Sequence, residues 1–429
     1  MKRFAITTLL CLGQLCLGLF VPTVTVAQPA EATAALDETL STFQGLPIKF
    51  TRERSAAWVA QYAGFAKHKA VAIALDEDGT WAMGWGQKQA SILPAIGAAL
   101  GGCERSRQER KVAAQCELAR VDERELELGR AFVKRMNVGA TAKPAIVWRF
   151  KRGATELHLA GSIHVFKSSL YPLPAAYEQA YVAADTLVLE VNMAGITPQD
   201  LMALRKKYML LPEGKKLDEL LPETMLAEVK AAAAELGVPW QALENLQPAA
   251  LAVELLPAFA MTEGIFPQHG IDAHFLGRAL QQTKEVRQLE TAELQLELLS
   301  KLPIDLQLAS SESALDTSDL SETLNGMLEA WYTADLPRIA KLSETGADKN
   351  PKLREWLDKL FAERNVGMAD GIAALLDGKP KKYFVLIGAG HLAGKGNVLE
   401  LLAKKGFKGE QLNRDGSVAL AVNAAAMPK

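Results

Sequence analysis

The 429-residue chain has little net charge, few cysteines and few histidines: a formal charge of -2, four Cys and six His. A charge so near zero excludes the broad positive field by which a protein holds nucleic acid through its phosphates, so no nucleic-acid partner is expected. There is no internal repeat of fixed period, and the absence of a His-Glu-x-x-His signature neither favours nor excludes a metal centre whose ligands come from separate strands. What is present is ordinary globular composition, 49% hydrophobic and 23% charged, at a length that accommodates about two or three domains. Disorder across the whole chain is excluded on the same ground.

The first residues read as a secretory signal. Lys2 and Arg3 give a basic start, Ile6 to Val21 an apolar core, and Thr25-Val26-Ala27 a small-residue exit, with cleavage expected after Ala27. The apolar stretch is shorter than the ~20 residues that span a bilayer and is followed by Pro22 and Pro29, so no stable membrane span is expected after cleavage, and the location is periplasmic or secreted. Cys11 and Cys16 lie within the signal, which leaves Cys103 and Cys116. In an oxidising compartment this pair is expected to close a small disulfide loop, worth about 3 kcal/mol for ~15 residues in the chain-entropy model. No histidine or second cysteine pair lies at zinc spacing from them.

The fold class that follows is α/β or α+β. A small α+β, cysteine-paired module over residues 36–128 precedes a larger domain over 144–412 that carries a central mixed sheet with helices and a helical layer or cap. In the module, Ala70 to Leu75 and Trp81 to Trp85 read as a hairpin around Asp76-Glu-Asp-Gly79. Ser91 to Leu100 has helical spacing, and Gly101-Gly102 is expected to stop it just before Cys103. Trp81 and Trp85 follow the strand's alternation and read as core packing. In the larger domain, Ala145 to Phe150 and Thr155 to Ala160 read as a strand pair, and Asp185 to Val191 as a strand buried on both faces. Helices are expected from Thr197 to Lys301, with Pro198, Pro222, Pro239 and Pro248 near their starts and one short strand at Glu285 to Glu290. More helices run from Ser310 to Leu376, then a buried strand at Tyr383 to Ile387 and a helix at Asn397 to Lys405. The end, from Ala419 to Lys429, reads as loose.

One arrangement occurs twice: an apolar strand, a glycine, and a histidine three residues later, in Gly161-Ser-Ile-His164 and Gly388-Ala-Gly-His391. In open α/β sheets ligands collect in the crevice at the carboxyl ends of strands, and both imidazoles would point there. Glu190 closes a third strand at the same level, where an unpaired carboxylate is costly to bury. Two imidazoles and a carboxylate make a sufficient set for a catalytic metal with open positions. The residues alone leave a second reading open, in which each histidine caps its own loop and Glu190 pairs with an arginine such as Arg364. A third, a phosphate-cradling turn at Gly388 to Gly394, fails because its last glycine falls one residue late for a dinucleotide fingerprint.

Gly161-Ser-Ile-His164, Ser169-Leu-Tyr-Pro-Leu-Pro174, Leu187-Val-Leu-Glu190, Gly270-Ile-Asp272, Leu289-Glu-Thr291, Glu363-Arg-Asn365 and Gly388-Ala-Gly-His391-Leu-Ala-Gly394, in this order, resemble the TraB/GumN family. The resemblance runs from Pro144 to Phe407. The family includes the Tiki proteins, metal-dependent proteases whose two Gly-x-x-His motifs and a glutamate hold the metal, as well as a pheromone-shutdown protein of the cell surface. By motif, the resemblance implies His164, His391 and Glu190 as ligands of a divalent metal, for which zinc, manganese and cobalt are equally suited. A metal-assisted hydrolase of a peptide or protein substrate would then use Glu290 as general base with Asp272 behind it, and Arg364 either to pair with Glu190 or to stabilise a developing oxyanion. Helix capping and ordinary pairing are the plain alternatives for Glu290 and Asp272. His269 and His274 flank Asp272 at a spacing that puts them on different helix faces. The alternative for the whole protein is a non-catalytic periplasmic peptide- or metal-binding role.

Overall fold

The structure is a computed structural model that describes residues 60–136, 143–315, 317–343 and 351–419. The stretch read as a secretory signal and the last ten residues lie outside the described residues.

The hairpin forms as the alternation requires: β1 (Ala70–Leu75) pairs antiparallel with β2 (Trp81–Gly86), with Leu75 opposite Trp81. On the other edge of β1 lies β3 (Glu117–Val121), followed by β4 (Arg124–Glu125), giving a four-stranded sheet of order β2-β1-β3-β4. Trp81 and Trp85 pack with Tyr62, Val71, Ile73 and Met83 in a small cluster on one face of this sheet.

Helix α1 (Ile92–Arg110) covers the other face and corrects the expected stop at Gly101-Gly102, which it passes through without a break. The glycines here serve close approach. A Cβ on Gly84 of β2 would fall 2.1 Å from both the Ala99 carbonyl oxygen and the Cys103 nitrogen, and one on Gly86 would fall 1.8 Å from the Ala95 carbonyl oxygen. The helix therefore lies directly on bare backbone, and its burial repays the cost of glycine in a helix interior. It ends at Lys111 in the left-handed conformation. The Cys103–Cys116 disulfide then ties α1 to the segment that leads into β3.

After α2 (Gly129–Met136), β5 (Pro144–Arg152) and β6 (Thr155–Ser162) form the expected antiparallel pair. Helix α3 (Ala175–Ala183) crosses to β7 (Thr186–Leu189). The helical layer follows: α4 (Pro198–Tyr208), α5 (Glu223–Leu236), α6 (Trp240–Leu243), α7 (Pro248–Thr262) and α8 (Ile271–Gln281). Proline stands at the cap or first turn of four of them, where its missing N–H costs nothing. Strand β8 (Glu285–Gln288) precedes α9 (Ala292–Ser300), α10 (Ile304–Leu315), α11 (Thr317–Tyr332), α12 (Leu336–Ser343) and α13 (Pro351–Leu376). The chain returns to the sheet as β9 (Lys382–Gly388), then forms α14 (Val398–Lys404) and β10 (Glu410–Asn413).

The second sheet has the order β10-β5-β6-β9-β7-β8. Strands β6, β9, β7 and β8 run parallel, so their carboxyl ends lie side by side along one edge. Strand β9, the last of the four in sequence, slots between β6 and β7 and pairs Ser162 with Gly388 and Leu189 with Leu386. The apolar runs are explained by this position: Leu187, Val188, Val385 and Leu386 are buried because helices cover both faces of a parallel sheet. One continuous apolar core links α1, the helical layer and this sheet. Among the described residues, no helix is long and apolar enough to cross a membrane.

Candidate functional site

Each of the four parallel strands ends in a chemically active side chain. His164 lies just past β6, Glu190 just past β7, Glu290 just past β8, and His391 in the single 3-10 turn, Ala389–Leu392, that follows β9. Backbone ladders carry the register beyond the strands proper, since Glu290 N–H donates to the Glu190 carbonyl. Gly388 marks the centre. A Cβ built there would lie 3.2 Å from Glu190 Oε1, 3.5 Å from His164 Nε2 and 3.7 Å from His391 Cδ2. Strand β9 thus brings His391 beside His164 and Glu190, which lie 227 and 201 positions earlier in the chain.

Both imidazoles are held from behind. His164 Nδ1 lies 2.7 Å from Asp272 Oδ2, at the start of α8. That helix docks closely because Gly270 has no side chain: a Cβ would sit 2.2 Å from the His164 carbonyl oxygen. Ile271 N–H then donates to the Ile163 carbonyl. His391 Nδ1 lies 2.7 Å from Asn365 Oδ1. The Asn365 amide nitrogen donates to the Gly396 carbonyl at 3.0 Å, which fixes its oxygen toward the ring. Each imidazole is therefore held through Nδ1 and turns its Nε2 to the centre. Both Nε2 atoms are buried and have no hydrogen-bond partner. His391 Nε2 stands 3.8 Å from Glu190 Oε1.

The carboxylates are held as firmly. Glu190 Oε1 accepts the Gly388 N–H at 2.5 Å, and its Oε2 accepts from Arg364 Nη2 at 2.8 Å. Arg364 also takes Glu290, through Nε at 3.1 Å to both oxygens and Nη2 at 2.9 Å. The Gln295 amide donates to Glu290 at 2.9 Å. Phe361, Arg364, Asn365 and Met368 recur at the spacing of one helical face, so α13 lays all of them over the strand ends, with the Phe361 ring 5.1 Å from that of His391.

Burial sets the electrostatics. It pushes the Glu190 carboxyl up from its ordinary pKa, against the opposing pull of Arg364 and His164. It holds His391 well below the usual imidazole range, helped by the Arg364 charge, so that ring is neutral. At His164 burial again opposes the charged form, but the Asp272 carboxylate outweighs it and the pKa rises. Asp272 is correspondingly lowered, its desolvation being overcome by His164. Two buried carboxylates, Glu190 and Glu290, share the Arg364 guanidinium, and the third, Asp272, is paired with His164; buried carboxylates without such partners are expensive away from water.

The structure therefore gathers all six residues singled out from the sequence. Asp272, expected behind Glu290, stands instead behind His164. Glu290 is taken up by Arg364 and Gln295. Arg364 pairs with Glu190, as the plainer reading of the residues had it, but the histidines do not cap their own loops: their partners lie 108 and 26 positions away. His274 stacks on Tyr171, and the His269 carbonyl accepts the Tyr171 hydroxyl. Asn365, Gln295 and the Gly388 N–H are functional groups that the sequence reading missed. Only the Glu363-Arg-Asn365 motif could have signalled any of them. Among the described residues, no group of three or more His, Cys, Asp or Glu stands close enough together to hold a metal ion.

Comparison with known proteins agrees with this architecture. The model of the TraB/PrgY/gumN family matches residues 146–411, well over half of the chain. The chain is 29% identical over 252 residues to a protein of Escherichia coli (strain K12) described as uncharacterized protein YbaP, a span that covers 58% of this chain and 89% of the relative. A Shigella flexneri protein with the same description is similar to the same extent. No solved structure matches the chain.

Proposed function

The chain belongs to the TraB/PrgY/gumN family, and on that footing we propose that it is a metal-dependent hydrolase of amide bonds in peptides or proteins, acting in the cell envelope. The observation that carries this reading is the pair of buried, unpartnered Nε2 atoms, on His164 and His391, that face Glu190 Oε1 across Gly388. Buried polar atoms are normally bonded, and two ring nitrogens beside a carboxylate are donors of the type that a divalent cation takes. The residues present thus suit such an ion, held by His164, His391 and Glu190 and drawn from zinc, manganese or cobalt. When bound, it would supply Lewis acidity and lower the pKa of water.

The chain's own groups have separable tasks. Asp272 and Asn365 orient the two rings through Nδ1, the role that outer partners play at metal sites. Arg364 clamps Glu190 from the far side and leaves Oε1 facing the centre. Glu290 is held on the same guanidinium. To act as general base it would have to give up part of that pairing. The Cys103–Cys116 disulfide supports an oxidising compartment.

The competing reading is a peptide- or metal-binding protein without turnover, and the near-complete burial of the three donors favours it, with His164 3% exposed and Glu190 and His391 at 0%. One experiment separates them. Purified full-length protein and its His391→Ala variant are compared for bound divalent ion and for cleavage of a peptide mixture. Joint loss of metal and cleavage supports the hydrolase. Bound metal with no cleavage of any peptide by the unaltered protein supports the binding role.

A further inference from the structure

Beside the histidine centre lies a small cleft, partly open to solvent, with a cavity volume of about 30 Å³. It shares walls with the centre: His164, Gly388, Ala389 and Gly390 form one side. The rest is apolar, lined by Ile163, Val165, Ile265, Leu324, Met327 and Leu328. We propose that this cleft is a specificity pocket that receives an aliphatic side chain, of the leucine or methionine type, from the substrate residue next to the scissile bond.

The argument rests on what the cleft contains and where it opens. Its lining has no Asp, Glu, Lys or Arg, so a charged side chain entering it would lose its hydration with nothing to replace it. An aliphatic side chain loses only unfavourable contact with water. Met327 is unbranched and adaptable, which suits a wall that must close around more than one aliphatic shape. The Ser343 hydroxyl on the wall is buried without a hydrogen-bond partner. It would accept from or donate to the backbone of a bound peptide while the side chain fills the apolar part. Because Gly388 belongs to both the pocket wall and the ring of donors, a side chain in the cleft leaves its own carbonyl at the histidines.

This inference deepens the hydrolase reading and rests on it for the carbonyl's position, but the pocket can be tested separately. The probes are acetyl-Ala-Xaa-Ala-Ala-amide peptides with Leu, Met, Phe, Ala, Asp or Lys at Xaa. Cleavage is measured with full-length protein, and binding by calorimetry with the His391→Ala variant. Leu and Met peptides are expected to exceed Ala by roughly tenfold or more, and Asp and Lys by more, in line with the ~10–200-fold that apolar pockets discriminate. Met327→Trp, which fills the cleft, should level Leu and Ala while leaving metal content unchanged. Met327→Ala, which enlarges it, should shift preference toward Phe and guards against a tryptophan variant that does not fold. Leu-selective binding without cleavage by any form would sink the hydrolase and leave the pocket standing. Cleavage indifferent to Xaa, a Leu preference that survives both Met327 variants, or no binding of any probe at millimolar concentration overturns the pocket.

Discussion

Replacing Gly388 with alanine should separate stability from function. Its backbone conformation, φ -53 and ψ 135, is open to any L-residue, so alanine brings no dihedral strain. The Gly388 N–H that Glu190 accepts is kept. The new methyl would lie 3.2 Å from Glu190 Oε1, which must give way by a few tenths of an ångström, and at ordinary contact distance, 3.5 and 3.7 Å, from His164 Nε2 and His391 Cδ2. The stability cost is therefore small, less than the ~1–3 kcal/mol of a true core overpacking. The consequence for an ion is severe, because the methyl fills the space onto which the three donors face, and zinc needs each of them at about 2.0–2.2 Å. Metal affinity should fall at least as far as the ~10–100-fold lost when an outer partner is removed. Thermal denaturation of the metal-free protein and metal titration of the same samples check the two halves. A Gly388→Ala protein that folds normally and binds the ion as tightly as its parent would refute the placement of the centre.

Gly161→Ala, at the equivalent place in the other motif, should behave oppositely. Its Cβ would meet Ile146 Cγ2 at 2.5 Å, with Ala389 and Leu392 at 3.2 Å, so the variant should lose about 1–3 kcal/mol in chemical denaturation; an unchanged midpoint would count against the packing at β6. Asp272→Asn keeps the size of the residue behind His164 but weakens its hold on Nδ1, and metal affinity should drop by roughly 10–100-fold with secondary structure intact by circular dichroism. Glu285 at the sheet edge is held down to about 2 by Lys381, then Arg287, with Thr186 adding to it. A carboxylate lowered in the fold stabilises above its unfolded pKa of about 4.3, and that stability is lost as pH falls through the window down to about 2. Glu285→Gln should thus be less stable than the parent above pH ~5 and converge with it near pH ~2; partial exposure keeps the difference under about 1 kcal/mol, and a constant gap at all pH values would exclude the effect.

Much of the site was legible in the sequence because parallel strands leave two kinds of mark. Runs such as Leu187-Val-Leu and Phe384-Val-Leu-Ile387 reveal burial on both faces, and the residue that follows each run must then lie at one edge of the sheet. Glycine three residues before each histidine completed the pattern. What stayed hidden depends on contacts between elements far apart. Nothing near Asp272 says that α8 docks on the His164 carbonyl through Gly270, so its carboxylate was placed behind the wrong partner. Asn365 belongs to the Glu363-Arg-Asn365 motif, but the side that α13 turns to the sheet, and with it the residue's partner, depends on where that helix lies. The passage of α1 through Gly101-Gly102 was misread for a related reason: glycine punctuates an isolated helix, yet here the matching glycines of β2 make a flat contact that holds the helix together.

The central claim is that His164, Glu190 and His391 share one divalent cation. Anomalous diffraction from crystals of the full-length protein grown with manganese tests it directly. A single strong peak bounded by His164 Nε2, Glu190 Oε1 and His391 Nε2 is the expected result. Density without a peak there, or a peak confined to another part of the molecule, would contradict it.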